Sequence, residues 1–177
     1  MAEARNPLDA VTIRALLQEV ADELDDGRRH VLVLAGGALL AWAGLRNTTA
    51  DVDTVERIDE QLQAAVRRVA ERHDLSTTWL NDRAAGFVPA TLSEHECQRL
   101  WEHPRLLVLG APWRDVFLMK LLASRDRDWD DLVELWPLSG FTDPHEVVSE
   151  YYRAYPHEEV DPYLVRHVRN ITRAAIT

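Results

Sequence analysis

Two residue types are nearly missing from this 177-residue chain. Cys97 is its one cysteine, so no internal disulfide can form and a disulfide-stapled secreted scaffold is excluded. Lys120 is its one lysine, standing among 20 basic residues of which 19 are arginine. Long apolar runs are lacking as well. The longest, 31–45, contains Gly36 and Gly37 and falls short of the roughly 20 apolar residues of a membrane-spanning helix. The opening Met1-Ala2-Glu3-Ala4-Arg5 leads into no apolar signal-peptide core, so the expected compartment is cytoplasmic, with no membrane partner. Positive charge is also in deficit. Thirty acidic residues give a net charge of −10, which argues against a generally basic nucleic-acid binder and leaves only a local basic face open. No GxGxxG, Walker A or GxSxG motif occurs, so the dinucleotide, P-loop and serine-hydrolase readings lack support.

What is present is globular: 46% hydrophobic and 28% charged residues. The length suits one domain, 1–177, with a sheet-containing core over about 28–110 and a helical part over about 111–177. Apolar spacing predicts helices over 9–24, with Asp9 as N-cap, over 38–44 and around 62–69. Val31-Leu32-Val33-Leu34 reads as a buried strand, and 51–55 alternates like a strand with one wet face. Thr77 to Leu80 is a third strand candidate, and Arg105 to Leu109 a stronger fourth. Helices are expected over 111–124, with Pro112 in the first turn, and around 129–136, 144–154 and 162–175. That order predicts an α+β fold with a small mixed sheet flanked by helices.

The chemistry concentrates between Gly36 and Asp53. A strand that breaks at Gly36-Gly37 and opens into a helix leaves backbone N–H groups free, and glycine lets a phosphate approach the main chain. The bland alternative is a tight turn with no ligand. Asp51-Val52-Asp53 follows, and residues two apart on a strand share a face. Two neighbouring carboxylates repel unless a cation lies between them, and Mg²⁺ prefers oxygen ligands. A solvated strand face with two ordinary acids is the competing reading.

The stretch VLVLAGGALLAWAGLRNTTADVDTV resembles the minimal nucleotidyltransferases of the polymerase-β-like superfamily in its apolar strand, Gly-Gly, short helix and DxD strand. More narrowly, the chain resembles the AbiEii/MenT-type toxins and the DUF6036-type bacterial proteins. WLNDRAAGFVP at 79–89 and FLMKLLASRDRDWDDL at 117–132 carry that narrower likeness, which spans about 30–135. The resemblance implies a nucleotidyltransferase-like fold and transfer of a nucleoside monophosphate from an NTP to an acceptor. It implies Mg²⁺ held by Asp51 and Asp53, and phosphate contacts from Gly36, Gly37, Arg46, Lys120 and Arg127. Many relatives carry a third carboxylate on a later strand, and RLLVL at 105–109 has none. Asp131, ahead of Asp128 and Asp82, is the expected substitute. The implied acceptor is RNA such as tRNA, in a toxin neutralised by a cognate antitoxin. A protein or small-molecule acceptor, or a catalytically silent nucleotide- or partner-binding module, are the alternatives.

Other features point elsewhere less strongly. Lys120 sits among Phe117, Leu118, Leu121 and Leu122, so a snorkelling surface lysine is a competing reading. His95, Cys97 and His103 lack zinc-site spacing and read as structural. Arg166, Arg169 and Arg173 form a single-sign stripe at helical spacing, with no acid after Asp161; it suits RNA phosphate or an acidic partner, but balancing an acidic body is the favoured reading.

Overall fold

The computed structural model of the chain describes residues 7–123 and 128–176. Among the described residues it is a mixed α+β protein with a five-stranded sheet and seven α-helices. It divides into two compact units. One runs up to Gly86 and includes Cys97–Gly110; the other comprises Phe87–Glu96 and the chain from Ala111 onward.

The first unit holds the sheet. Helix α1 (Ala10–Glu23) starts where the Asp9 carboxylate accepts the Thr12 N–H at 2.8 Å, and it buries Ile13, Leu16, Leu17 and Val20 at three- and four-residue spacing. Strand β1 (His30–Ala35) leads into α2 (Gly36–Trp42), then β2 (Val52–Thr54), α3 (Glu60–Arg72), β3 (Leu80–Asn81), β4 (Gln98–His103) and β5 (Leu106–Gly110). The strand order is β3-β2-β1-β5-β4. Beside the central β1, β5 runs parallel and β2 antiparallel; β3 is parallel to β2, and β4 antiparallel to β5. Leu32 to Ala35 are all buried, which explains the unbroken apolar run of β1. Helices α1 and α3 pack together, and Glu19 and Glu23 of α1 meet Arg68 and Arg72 of α3 in exposed ion pairs. At the start of β1 the buried His30 ring lies 3.0 Å from Asp26 and 3.5 Å from Asp59, while Arg28 reaches both carboxylates at 2.9 Å. Both ring nitrogens face carboxylates, so this histidine closes the end of the strand.

Strand β4 is a difference from the sequence reading. Its pairing to β5 shifts register between Arg99 and Trp101, so one extra residue interrupts the period-two pattern that marks a strand. The shorter strand expected at 77–80 is displaced to Leu80–Asn81, and Asp51 lies just before β2.

The second unit contains α4 (Trp113–Ala123), α5 (Trp129–Leu135), α6 (Pro144–Ala154) and α7 (Leu164–Ile176). Pro112 stands one residue before α4, where its carbonyl accepts the Val116 N–H. Pro144 opens α6 behind the Asp143 cap. The core gathers on Phe117, whose ring centroid is 5.9 Å from both Trp136 and Phe141. Val168 and Ile171 of α7 and Leu135 of α5 are fully buried nearby in the same unit. The Tyr155 hydroxyl donates to the Phe87 carbonyl and the Ala90 N–H to the Ala154 carbonyl, each at 2.8 Å, which fastens Phe87–Glu96 to the end of α6. No helix among the described residues is long and apolar enough to cross a membrane.

One buried carboxyl works against this unit. Asp115, in the first turn of α4, is 6% exposed. Burial pushes its pKa up to about 6; Glu96 adds repulsion, and Arg114 opposes only in part. The folded state therefore holds a proton that the unfolded chain has released, so stability falls as pH rises from about 4 to 6. We expect Asp115→Asn to gain roughly 1–3 kcal/mol relative to the parent chain between pH 4 and pH 7. Urea titrations of both proteins at the two pH values check it.

Candidate active site

The site in the first unit follows from one register. Ala35, the last residue of β1, pairs with Asp53, and Leu34 pairs with Thr54. Val52 and Thr54 point inward and are fully buried, whereas Asp51 and Asp53 are both half-buried, so the two carboxylates lie on the opposite face from the core. The buried Thr54 hydroxyl accepts the Val33 N–H at 3.0 Å, which further locks β2 to β1. Before β2, Thr49 donates its hydroxyl to the Asp51 carbonyl at 3.0 Å, and its backbone bridges to Leu8 through two 2.8 Å hydrogen bonds. The connection from α2 to β2 is thereby held at its β2 end.

Gly36 adjoins Asp53, and Gly37 adjoins Thr49 and Arg46. Gly36 has φ +59, a conformation that glycine adopts without the penalty of a side chain. A Cβ there would stand 3.7 Å from Asp53 Oδ2. At Gly37 a Cβ would collide with Thr49 Oγ1 at 2.6 Å and touch Arg46 Nη1 at 3.0 Å. The Arg46 guanidinium therefore lies against the glycine turn. Helix α2 itself has only seven residues, so its dipole adds little, and the useful properties of the turn are its bare backbone and its neighbours.

The segment after α3 supplies the rest. The Trp79 indole donates to the Val66 carbonyl, and the Trp79 carbonyl accepts the Val52 N–H at 2.6 Å. Asn81 pairs with Asp53 across β2 and β3. Arg83 Nη1 lies 3.5 Å from Asp51 Oδ2, and Arg57 Nη1 3.8 Å from Asp82 Oδ2. Arg83 and Thr49 carry no role in the sequence reading. Their signal was faint: Arg83 closes the WLNDR run, and Thr49 is one of two consecutive threonines.

Lys120 and Asp131 lie in the second unit. The Lys120 ammonium donates to Asp128 at 2.7 Å and stands 2.6 Å from Asp131. All three side chains are withdrawn from solvent, with exposures of 16%, 6% and 5%. Lys120 is thus no snorkelling surface lysine, and Asp128 joins Asp131 as its counter-ion. Arg127 lies outside the described residues.

The donor set of Asp51 and Asp53 fits a hard divalent cation, since every donor is a carboxylate oxygen and a guanidinium already stands against Asp51 as a cation. The Asp82 carboxylate accepts the Ile58 N–H at 3.3 Å through the same oxygen that lies 3.8 Å from Arg57. The strand position beside Asp53 carries the amide Asn81. Among the described residues no three His, Cys, Asp or Glu side chains converge as a metal site, His95, Cys97 and His103 included. Comparisons with family models, curated proteins and solved structures gave no match.

Two outcomes follow. Gly37→Ala forces the stiff Thr49 side chain to move and costs about 1–3 kcal/mol in a denaturant titration. Lys120→Met strands two buried carboxylates and costs about 3–5 kcal/mol, with Lys120→Arg losing clearly less.

Proposed function

We propose that the chain is a metal-dependent nucleotidyltransferase of nucleotidyltransferase-like fold. The observation that carries the reading is the placement of Asp53 on β2 and Asp51 just before it, on the face away from the core, with the bare backbone of Gly36 beside Asp53. When bound there, Mg²⁺ neutralises charge on the triphosphate oxygens. Asp51 and Asp53 would hold that ion, Gly36 leaves the main chain bare beside Asp53, and Gly37 lets Arg46 pack against the same turn, where its guanidinium would meet phosphate. Lys120 and Asp131, the other site residues that the resemblance implies, belong to the second unit, where Lys120 pairs with Asp128 and Asp131.

The acceptor we favour is RNA such as tRNA. Arg166 and Arg169 are exposed on α7, Arg173 follows in its last turn, and no acid lies within that helix. In this reading the chain is the toxin of a toxin–antitoxin pair.

The test is transfer of label from each α-labelled NTP, with Mg²⁺, to a component of a cell lysate. RNase-sensitive label is expected, and Asp53→Ala should lower it by about 10²–10³-fold or more. Protease-sensitive or small-molecule label would move the acceptor, and NTP binding without transfer would make the chain a silent nucleotide-binding module. Should no NTP bind or react, with Asp53→Ala indistinguishable from the parent, the enzyme reading is wrong. Growth arrest on expression, relieved by Asp53→Ala, is the outcome expected of a toxin.

A further inference from the structure

The run Trp79 to Arg83 is built with more care than a connection requires. Trp79 and Leu80 are buried and tie the segment to β2 and α3. The Asn81 side chain is 8% exposed and makes three backbone hydrogen bonds: its amide donates to the Thr78 and Val52 carbonyls at 3.3 and 3.5 Å, and its oxygen accepts the Arg83 N–H at 3.1 Å. Asp82 is held through the Ile58 N–H. The backbone that launches Arg83 is therefore fixed to the strand that carries the carboxylates.

Its head is held in the opposite way. The Arg83 guanidinium meets Asp51 through a single long contact of 3.5 Å, with side-chain exposures of 56% and 21%. Such a pair is screened and weak, unlike the short, enclosed contacts of Lys120. A rigid base with a loosely paired head suits a group that changes partners.

We infer that Arg83 is a displaceable counter-cation: it neutralises Asp51 until a divalent ion takes that carboxylate, and then pairs with the polyphosphate of the incoming nucleotide. The inference rests on the nucleotidyltransferase reading and adds to it a positioning residue and an order of events. A guanidinium and a metal ion compete for the same carboxylate oxygen, so the first is displaced by the second. The planar fork of arginine then matches two phosphate oxygens better than it matched one carboxylate oxygen. Asn81 acts through Arg83, by fixing where its side chain begins.

The experiment measures two affinities of the full chain: Mn²⁺ alone, from the paramagnetic resonance of the free ion, and each NTP in saturating Mn²⁺. Arg83→Gln should bind Mn²⁺ about two- to five-fold more tightly, because a competing cation is gone. The same variant should bind the preferred NTP about ten-fold more weakly, and Arg83→Lys should fall between it and the parent in both. A merely structural role for Arg83 would weaken both affinities together. Unchanged or weakened Mn²⁺ binding in Arg83→Gln, or unchanged NTP binding, overturns the inference. Asp53→Asn separates the two levels. If it abolishes Mn²⁺ binding while Arg83→Gln behaves as the parent, only the role of Arg83 falls. If the parent chain binds neither Mn²⁺ nor any NTP, the nucleotidyltransferase reading falls and takes this role with it.

Discussion

The candidate site depends on the pairing of a three-residue strand. Val52–Thr54 adds to the end of β1 in one register, with Ala35 opposite Asp53. A slip of one residue would turn both carboxylates inward and Val52 outward, so burial of Val52 and Thr54 opposes the slip by the hydrophobic effect as much as by hydrogen bonding. The Thr54 hydroxyl, bonded to the Val33 N–H, adds a polar key to that register. So short a strand has little pairing energy of its own. The Leu8–Thr49 bridge before it and the Trp79–Asn81 segment beside it supply what the strand lacks.

Two carboxylate pairs in this chain each have a basic partner, and burial separates their meanings. Asp128 and Asp131 enclose Lys120 in short contacts with little solvent, where breaking the set leaves charge stranded in a poor medium. Asp51 meets Arg83 at long range in partial contact with water, where the pair is easily exchanged. The first arrangement resists change whatever else it does. The second tolerates it, which is the property a binding site needs. A similar contrast holds between His30, enclosed by Asp26 and Asp59, and the exposed arginines of α7.

The sequence disclosed most of the elements because most obey a simple period. Helix α1 with its Asp9 cap, the unbroken apolar β1 and the proline-led α6 lie within a residue or two of their expected bounds. Strand β4 escaped because its extra residue between Arg99 and Trp101 disrupts alternation, and because as an edge strand it buries little. At the site, the alternation around Asp51 and Asp53 was legible, since it depends on neighbours in sequence. The clasp of Lys120 by both Asp128 and Asp131, and the approach of Arg83 to Asp51, were not. Each joins residues 8 to 32 positions apart through side-chain geometry, which periodicity does not encode.

The enclosed ammonium of Lys120 has a consequence for handling the protein. Apart from the α-amino group, it is the only primary amine in the chain, and its two nearest carboxylates enclose it. Amine acylation requires an accessible amine, so the folded chain offers acylating reagents little along its length. Unfolding releases that amine. Mass added at Lys120 over time thus reads out the rate at which the second unit opens, from a single position and without an engineered label.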